Sequence, residues 1–154
     1  MEEGSFLLDN IHDRRVEILL VEDNPGDAEL TAIALRAGKV SNRLSVVVDG
    51  MEAMAFLRKE TPYEQAPRPD LILMDLNMPR KDGRETLADI RKDPLLHNIP
   101  VVILTTSESK RDVIESYHLN ANCYITKPVE FEAFMSIIRS IEDFWFSIVK
   151  LPPS

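Results

Sequence analysis

The chain has 154 residues, of which 44% are hydrophobic and 29% charged, and its formal net charge is −8. These values are typical of one compact domain with its own core, and the negative charge disfavours direct binding to DNA or RNA, whose phosphates it repels. The single cysteine excludes an internal disulfide. Because the sequence shows neither a signal peptide nor an apolar run of bilayer length, we expect a cytoplasmic protein that binds no membrane.

Five short apolar runs alternate along the chain with longer stretches that have helical periodicity. The runs are continuous instead of alternating between apolar and polar residues, which is typical of parallel strands covered by helices on both faces. They are Val16–Val21, Leu44–Val48, Leu71–Met74, Val101–Leu104 and Cys123–Ile125. The sequence therefore predicts a parallel sheet.

Three helices are predicted between the first four runs. The first begins at Asn24 and Pro25, a cap followed by proline at the first helical position, and ends near Gly38. The second follows Asp49–Gly50, and the third runs from about Arg84 to Asp93. The first helix carries the apolar residues Ala28, Leu30, Ile33, Ala34 and Leu35, and the second is expected to place Met54, Phe56 and Leu57 toward the core.

Two more helices are predicted after the fourth and fifth runs. One begins at Ser107 or Ser109, where Ser109 and Asp112 have capping-box spacing, and the other spans about Glu130–Lys150. Five such units with right-handed crossovers predict a doubly wound (βα)5 α/β sheet of order 2-1-3-4-5, as in flavodoxin-like folds. We expect residues 1–15 to be an N-terminal extension, 16–150 the domain and 151–154 a tail.

Acidic residues follow the two strands between which this strand order reverses. Glu22 and Asp23 follow the first run and Asp75 the third, and ligands bind such folds at these strand ends. One acid after a strand is more often a turn or cap residue, but three that converge favour a hard divalent cation such as Mg²⁺, which takes oxygen ligands. The backbone carbonyl of Asn77 could complete the ligand set.

Two further strand ends carry groups that complement a phosphoryl group. Thr105 closes the fourth run with a hydroxyl, and Lys127 follows the fifth with an ammonium group. A carboxylate beside a cation, a hydroxyl and a lysine is suited to phosphoryl transfer, in which Asp75 attacks phosphorus while the positive groups neutralise the phosphoryl oxygens.

The strings ILLVEDNPGDAEL, DLILMDLNMPRKDG, VVILTTSES and YITKP occur in this order and together resemble CheY-like response regulator receivers over about residues 16–148. The resemblance implies that Asp75 accepts phosphate from a sensor histidine kinase. It implies that Glu22, Asp23, Asp75 and the Asn77 carbonyl hold Mg²⁺, for which Mn²⁺ could substitute. Glu22 stands where many members have Asp, which puts the metal affinity in question and not the function.

The same resemblance assigns a switching mechanism. Thr105 is implied as the switch hydroxyl, Tyr124 as the switch aromatic and Lys127 as the phosphate-binding lysine, with a cis bond between Lys127 and Pro128. Phosphorylation would draw Thr105 and Lys127 toward the new charge and let the Tyr124 ring turn, which reshapes the surface of the last two helices and their strands.

The last predicted helix carries more apolar surface than one sheet face requires, because its apolar residues spread over about 200° where about 100° suffices. They are Phe131, Phe134, Met135, Ile137, Ile138, Ile141, Phe144, Trp145, Phe146, Ile148 and Val149. We expect Phe144, Trp145 and Phe146 to form a homodimer or partner interface. The alternative is that Phe6, Leu7, Leu8 and Ile11 of the extension cover them.

The FWF segment, the proline-rich stretch Thr61–Pro69 and the ILTTS string resemble small receivers paired with cyanobacterial phytochromes. This implies a phytochrome-type kinase as phosphate donor and a dimer built on the last helix. Because the sequence ends four residues after Lys150, we expect no attached output domain.

Other functions with similar patterns fit less well. A haloacid-dehalogenase-like phosphatase needs a second aspartate as general acid where this chain has Asn77. A calcium loop would need a ligand and a glycine where Pro79 and Arg80 stand, and a flavin phosphate would be repelled by the acidic loop that contains Glu22. A phosphate-independent docking module stays open; it predicts that Asp75→Asn leaves partner binding unchanged.

Overall fold

A computed structural model of the chain describes residues 15–37, 41–106 and 123–127. Within them, five parallel strands form one sheet of order β2-β1-β3-β4-β5. The strands are β1 (Val16–Val21), β2 (Asn42–Val47), β3 (Leu71–Asp75), β4 (Val101–Thr106) and β5 (Cys123–Lys127). The doubly wound fold and its strand order, both predicted from the sequence, are thus confirmed.

The helices of the described residues begin where the sequence places caps. Helix α1 (Pro25–Arg36) is capped by Asn24, α2 (Gly50–Leu57) by Asp49, and α3 (Gly83–Lys92) by Asp82, which forms a capping box with Glu85. The two helices predicted after β4 and β5 lie outside the described residues, as do residues 1–14 of the predicted extension and the predicted tail.

The sheet separates two apolar clusters. Residues of β1 and β3 alternate between them: Leu19 and Ile72 pack on the side of α2 and α3, and Leu20 and Leu73 on the side of α1. All five residues of β3 are buried. Burial on both faces explains why the central strands are continuous apolar runs in the sequence.

Burial departs from the apolar pattern of the sequence in two places. Leu30 and Ile33 of α1 are exposed to 37% and 43%, so only part of the predicted apolar face reaches the core. Strand β2 is half open, with Val46 exposed to 49%, and Val48, which follows the end of the strand, is exposed to 44%. The reason is position, because β2 is an edge strand of the sheet and an edge strand has a neighbour on one side only.

Because the strands are parallel, the loops that follow them meet at one edge of the sheet. Val21 pairs with Met74, and Asp75 pairs with Leu104, so the ends of β1, β3 and β4 lie side by side. In the part of the chain that the structure describes, no helix combines the length and apolar character needed to cross a bilayer.

Candidate functional site at the carboxyl ends of the strands

The loop after β1 carries two acids with different exposure. The N–H of Glu22 donates to the carbonyl of Val47 at 2.9 Å and extends the sheet, and its side chain is only 2% exposed, whereas Asp23 is exposed. The N–H of Asn24 donates to Glu22 Oε2 at 3.3 Å, and Asn24 Oδ1 accepts from the N–H of Asp27 at 3.0 Å. One buried and one accessible carboxylate are therefore held within three residues of the strand end.

Asp75 is the last residue of β3 and is 6% exposed. The N–H of Leu76 donates to the carbonyl of Leu104 at 3.2 Å, so the backbone stays in the sheet one residue beyond Asp75. The N–H of Asn77 donates to Asp75 Oδ1 at 3.3 Å. These two hydrogen bonds fix the position of the carboxylate.

The structure brings together the three acids predicted from the sequence. Glu22, Asp23 and Asp75 each offer a carboxylate oxygen, and these oxygens lie within 4.8 Å of one another. Like charges at this separation repel, and burial of two of the carboxylates strengthens the repulsion. An all-oxygen, anionic donor set of this kind fits a hard divalent cation.

The loop from Leu76 to Asp82 follows Asp75 and folds back on it. The N–H of Gly83 donates to the carbonyl of Leu76 at 2.9 Å, which closes the loop at its base. A Cβ atom on Gly83 would overlap the carbonyl oxygen of Asp75 and lie 2.8 Å from the Cα of Leu76. Glycine is needed here for close backbone approach, a role that the sequence analysis did not assign.

The same loop is tied to the turn before α2. The Nε of Arg80 donates to Asp49 Oδ2 at 2.6 Å, and its Nη2 also pairs with this oxygen. Asp49 Oδ1 accepts from the N–H of Glu52 at 2.9 Å as the helix cap, and the N–H of Gly50 donates to the carbonyl of Lys81 at 3.0 Å. The start of α2 was predicted at this turn, but its contact with Arg80 was not.

The strands that carry the remaining predicted residues lie beside this site. In the register of β4 and β5, Thr105 pairs with Thr126, Thr106 with Lys127, and Tyr124 with Ile103. Thr105 and Lys127 thus belong to the same edge of the sheet as Asp75. Their side chains lie outside what the structure describes, as do Pro128 and the predicted interface residues Phe144, Trp145 and Phe146.

Comparison with known proteins agrees with this geometry. The sequence profile of the response regulator receiver domain matches residues 18–139. Response regulator Rcp1 of Synechocystis is 48% identical over 135 residues, which are 88% of this chain and 92% of Rcp1.

Solved structures are similar over the same range. The phosphorylated cyanobacterial phytochrome response regulator RcpA has a TM-score of 0.77 and 50% identity, with 88% of this chain and 96% of RcpA covered. The Mn²⁺-bound form of Rcp1 has a TM-score of 0.76 and 47% identity, with 89% of this chain and 99% of the Rcp1 chain covered.

Proposed function

The chain belongs to the response regulator receiver family, and from that premise we propose that it is a phosphoacceptor switch in which Asp75 receives the phosphoryl group. The observation that carries the proposal is the cluster of Glu22, Asp23 and Asp75, whose carboxylate oxygens lie within 4.8 Å of one another. Asp75 is the member that the backbone of Leu76 and Asn77 fixes at the end of a buried strand.

The reaction is a transfer from a phosphohistidine of a sensor histidine kinase. An Asp75 carboxylate oxygen attacks phosphorus, a P–O bond forms while the P–N bond breaks, and the leaving imidazole takes a proton from solvent. The product is an acyl phosphate. The three carboxylates and the Asn77 carbonyl would hold a divalent cation, which would supply positive charge next to the phosphoryl oxygens.

We propose Mg²⁺ as this cation because it takes oxygen ligands and retains several waters. The related protein Rcp1 has been solved with Mn²⁺, which supports Mn²⁺ as a substitute. Glu22 is one methylene longer than Asp, and its buried Oε2 accepts a hydrogen bond from Asn24. This contact supports assigning the longer side chain to the same role.

Residues of β4 and β5 complete the switch in this proposal. Lys127, preceding a cis bond to Pro128, binds the phosphoryl oxygens, and Thr105 donates its hydroxyl to them. Tyr124 then changes its position and alters the recognition surface. The pairing of Thr105 with Thr126 and of Thr106 with Lys127 supports the assignment because it brings these residues to the edge of the sheet that holds Asp75.

We propose that the protein does not turn over phosphomonoesters. A haloacid-dehalogenase-like enzyme would need an acid two residues after the nucleophile, and Asn77, an amide, stands there. Slow self-dephosphorylation of Asp75 is the only hydrolysis expected. Steady release of phosphate from a phosphomonoester would contradict this part of the proposal.

The phosphate donor that we propose is a phytochrome-type histidine kinase in the cytoplasm. The support is the similarity to RcpA, which is described as a phosphorylated cyanobacterial phytochrome response regulator. Faster phosphotransfer from a phytochrome kinase than from an unrelated histidine kinase is the expected result. Equal rates from both donors would remove this assignment.

We further propose that residues 16–150 form the receiver and that it dimerises through its last helix. The support is the wide apolar arc that ends in Phe144, Trp145 and Phe146. Light scattering after size-exclusion chromatography should give a dimer mass that Trp145→Ala reduces to that of a monomer. A monomeric wild-type protein would favour coverage by the extension that contains Phe6 and Leu7.

The central proposal is tested with acetyl phosphate and Mg²⁺, followed by intact-mass measurement. The wild type should gain one phosphoryl mass, and Asp75→Asn should gain none. Asp93→Asn is a matched control because Asp93 lies at the opposite end of α3 and pairs with Arg58, remote from the cluster. Phosphorylation of Asp75→Asn to the wild-type level would exclude Asp75 as the acceptor.

A further inference from the structure

We propose that Asp49 and Arg80 are positioning residues that hold the loop after Asp75 in the shape required for cation binding. The inference rests on the proposed function, because it concerns the same metal site. Neither residue belongs to the acidic cluster of Glu22, Asp23 and Asp75. They act through the backbone of residues 76–82, which includes the Asn77 carbonyl.

The contact between Asp49 and Arg80 has the geometry of a fixed clamp. Asp49 is 2% exposed at its side chain, and each of its oxygens has a separate partner: Oδ1 caps α2 at Glu52, and Oδ2 accepts from Nε and pairs with Nη2 of Arg80. The helix cap therefore fixes the carboxylate that receives the arginine. The Arg80 side chain is 61% exposed, so solvent screens part of the attraction, but a charge-assisted contact to a buried, pre-oriented acceptor is still stronger than one between two exposed groups.

The backbone conformation of Arg80 also indicates that contacts hold this part of the loop in place. Its φ is 64°, in the left-handed region where residues other than glycine are uncommon. Such a conformation costs free energy and persists when surrounding contacts impose it. The N–H of Lys81 closes the turn locally by donating to the carbonyl of Pro79 at 2.7 Å. The contact with Asp49 and the hydrogen bond from Gly50 N–H to the carbonyl of Lys81, at 3.0 Å, hold the turn from outside.

Together these contacts fix the loop at both its base and its tip. At the base, the N–H of Gly83 donates to the carbonyl of Leu76, and at the tip Arg80 and Lys81 are tied to Asp49 and Gly50. Asn77 lies between the two attachment points. Without the Arg80 contact, the tip would keep the hydrogen bond from Gly50 and the ion pair of Lys81 with Asp89. We expect this weaker attachment to give the Asn77 carbonyl more freedom, while the N–H of Asn77 keeps its contact with Asp75 Oδ1 at 3.3 Å.

Two measurements on metal-free protein test the clamp. In calorimetric titrations with MgCl₂, Arg80→Ala and Asp49→Asn should each raise the Mg²⁺ dissociation constant about tenfold, the lower range for residues that orient metal ligands. Arg80→Lys keeps one cationic donor and should recover part of the loss. In EDTA, amide hydrogen exchange of residues 76–82 should accelerate several-fold in Arg80→Ala and stay unchanged in β1.

The matched control is Arg58→Ala, which breaks a pair with Asp93 of 3.6 Å next to the C-terminal end of α2 and should alter neither readout. Asn also caps helices, so Asp49→Asn should retain the start of α2. It therefore serves as the second test variant if Arg80→Ala fails to fold. Wild-type affinity and wild-type exchange in both folded clamp variants would overturn the proposal. If the wild type binds no Mg²⁺, the proposed function fails. Unchanged amide exchange in Arg80→Ala would overturn the clamp whether or not the wild type binds Mg²⁺.

Discussion

The loops that follow β1 and β3 deliver carboxylates to the same site but are held by different means. The loop after β1 spans residues 22–24 between its strand and α1; one hydrogen bond, from Glu22 to Val47, continues the sheet, and beyond it local hydrogen bonds of Asn24 hold the loop. The loop after β3 spans residues 76–82 and depends on contacts with residues distant in sequence, above all Asp49. A short loop can be positioned by its neighbours in the chain, whereas a long one needs tertiary contacts to offset its conformational entropy.

Gly26 and Gly83 follow the two loops, each in the first turn of the next helix, and should respond differently to substitution, with the largest effect expected at Gly83. Gly83→Ala should lower the free energy of unfolding by about 3 kcal/mol, because the new methyl group meets the backbone of Asp75 and Leu76. It should also lower phosphorylation of Asp75 by acetyl phosphate. Urea denaturation and intact-mass measurement test the two effects.

Gly26→Ala is the matched control in the first turn of α1. A Cβ atom there would meet only the side chain of Asn24, at 3.2 Å, and alanine favours the helix. Its free energy of unfolding should differ from the wild type by no more than about 1 kcal/mol. Equal destabilisation by Gly83→Ala and Gly26→Ala would remove the contrast between the loops.

A smaller effect is expected when the local support of the first loop is removed. Asn24→Ala should lower the free energy of unfolding by about 1 kcal/mol, because the N–H of Asp27 loses its capping acceptor. Asn24→Ser retains a capping oxygen and should recover most of the loss. Thermal denaturation of both variants measures these changes. An equally large loss of stability in Asn24→Ser would show that the missing helix cap does not cause the destabilisation of Asn24→Ala.

The smallest effect concerns Tyr63, whose hydroxyl donates to Glu52 Oε1 at 3.1 Å and so reaches the helix that Asp49 caps. Burial, and then the hydrogen bond and the charge of Glu52, raise the pKa of Tyr63 above 10.0. The folded state therefore favours the protonated phenol. This contribution is complete below the unfolded pKa and is lost as the pH rises through the folded pKa.

Tyr63→Phe should consequently lower the free energy of unfolding by less than about 1 kcal/mol at neutral pH. The difference between variant and wild type should shrink as the pH rises above about 10, where only the wild type loses stability by ionisation. Urea midpoints measured from pH 8 to pH 11 test this. A difference that is constant across the range would show that Tyr63 does not titrate differently in the folded protein.

The sequence was sufficient to predict the parts of the fold that follow from continuous burial. The central strands β1 and β3 were predicted within one residue because helices cover both faces. Strand β2 was predicted at Leu44–Val48 but spans Asn42–Val47. The exposure of Val46 and Val48 was not predicted, because an apolar run does not reveal whether its strand lies at an edge.

The acidic cluster was also predictable, whereas the clamp was not. Glu22, Asp23 and Asp75 each follow a predicted parallel strand, and strand order alone brings such ends together. Asp49 and Arg80 are 31 residues apart in two loops, and no periodicity or motif links them. The sequence indicated that a helix follows Asp49–Gly50, but only the folded structure shows that one oxygen of Asp49 caps this helix and the other receives Arg80.

The central claim is that a cation at the acidic cluster makes Asp75 a phosphoryl acceptor. The most direct measurement is the phosphoryl content of the peptide that contains Asp75, after incubation of the wild type with acetyl phosphate over a range of Mg²⁺ concentrations. The account predicts a yield that rises to saturation with Mg²⁺ and is lost in EDTA. An unchanged yield in EDTA, or a phosphoryl group found only on other peptides, would contradict it.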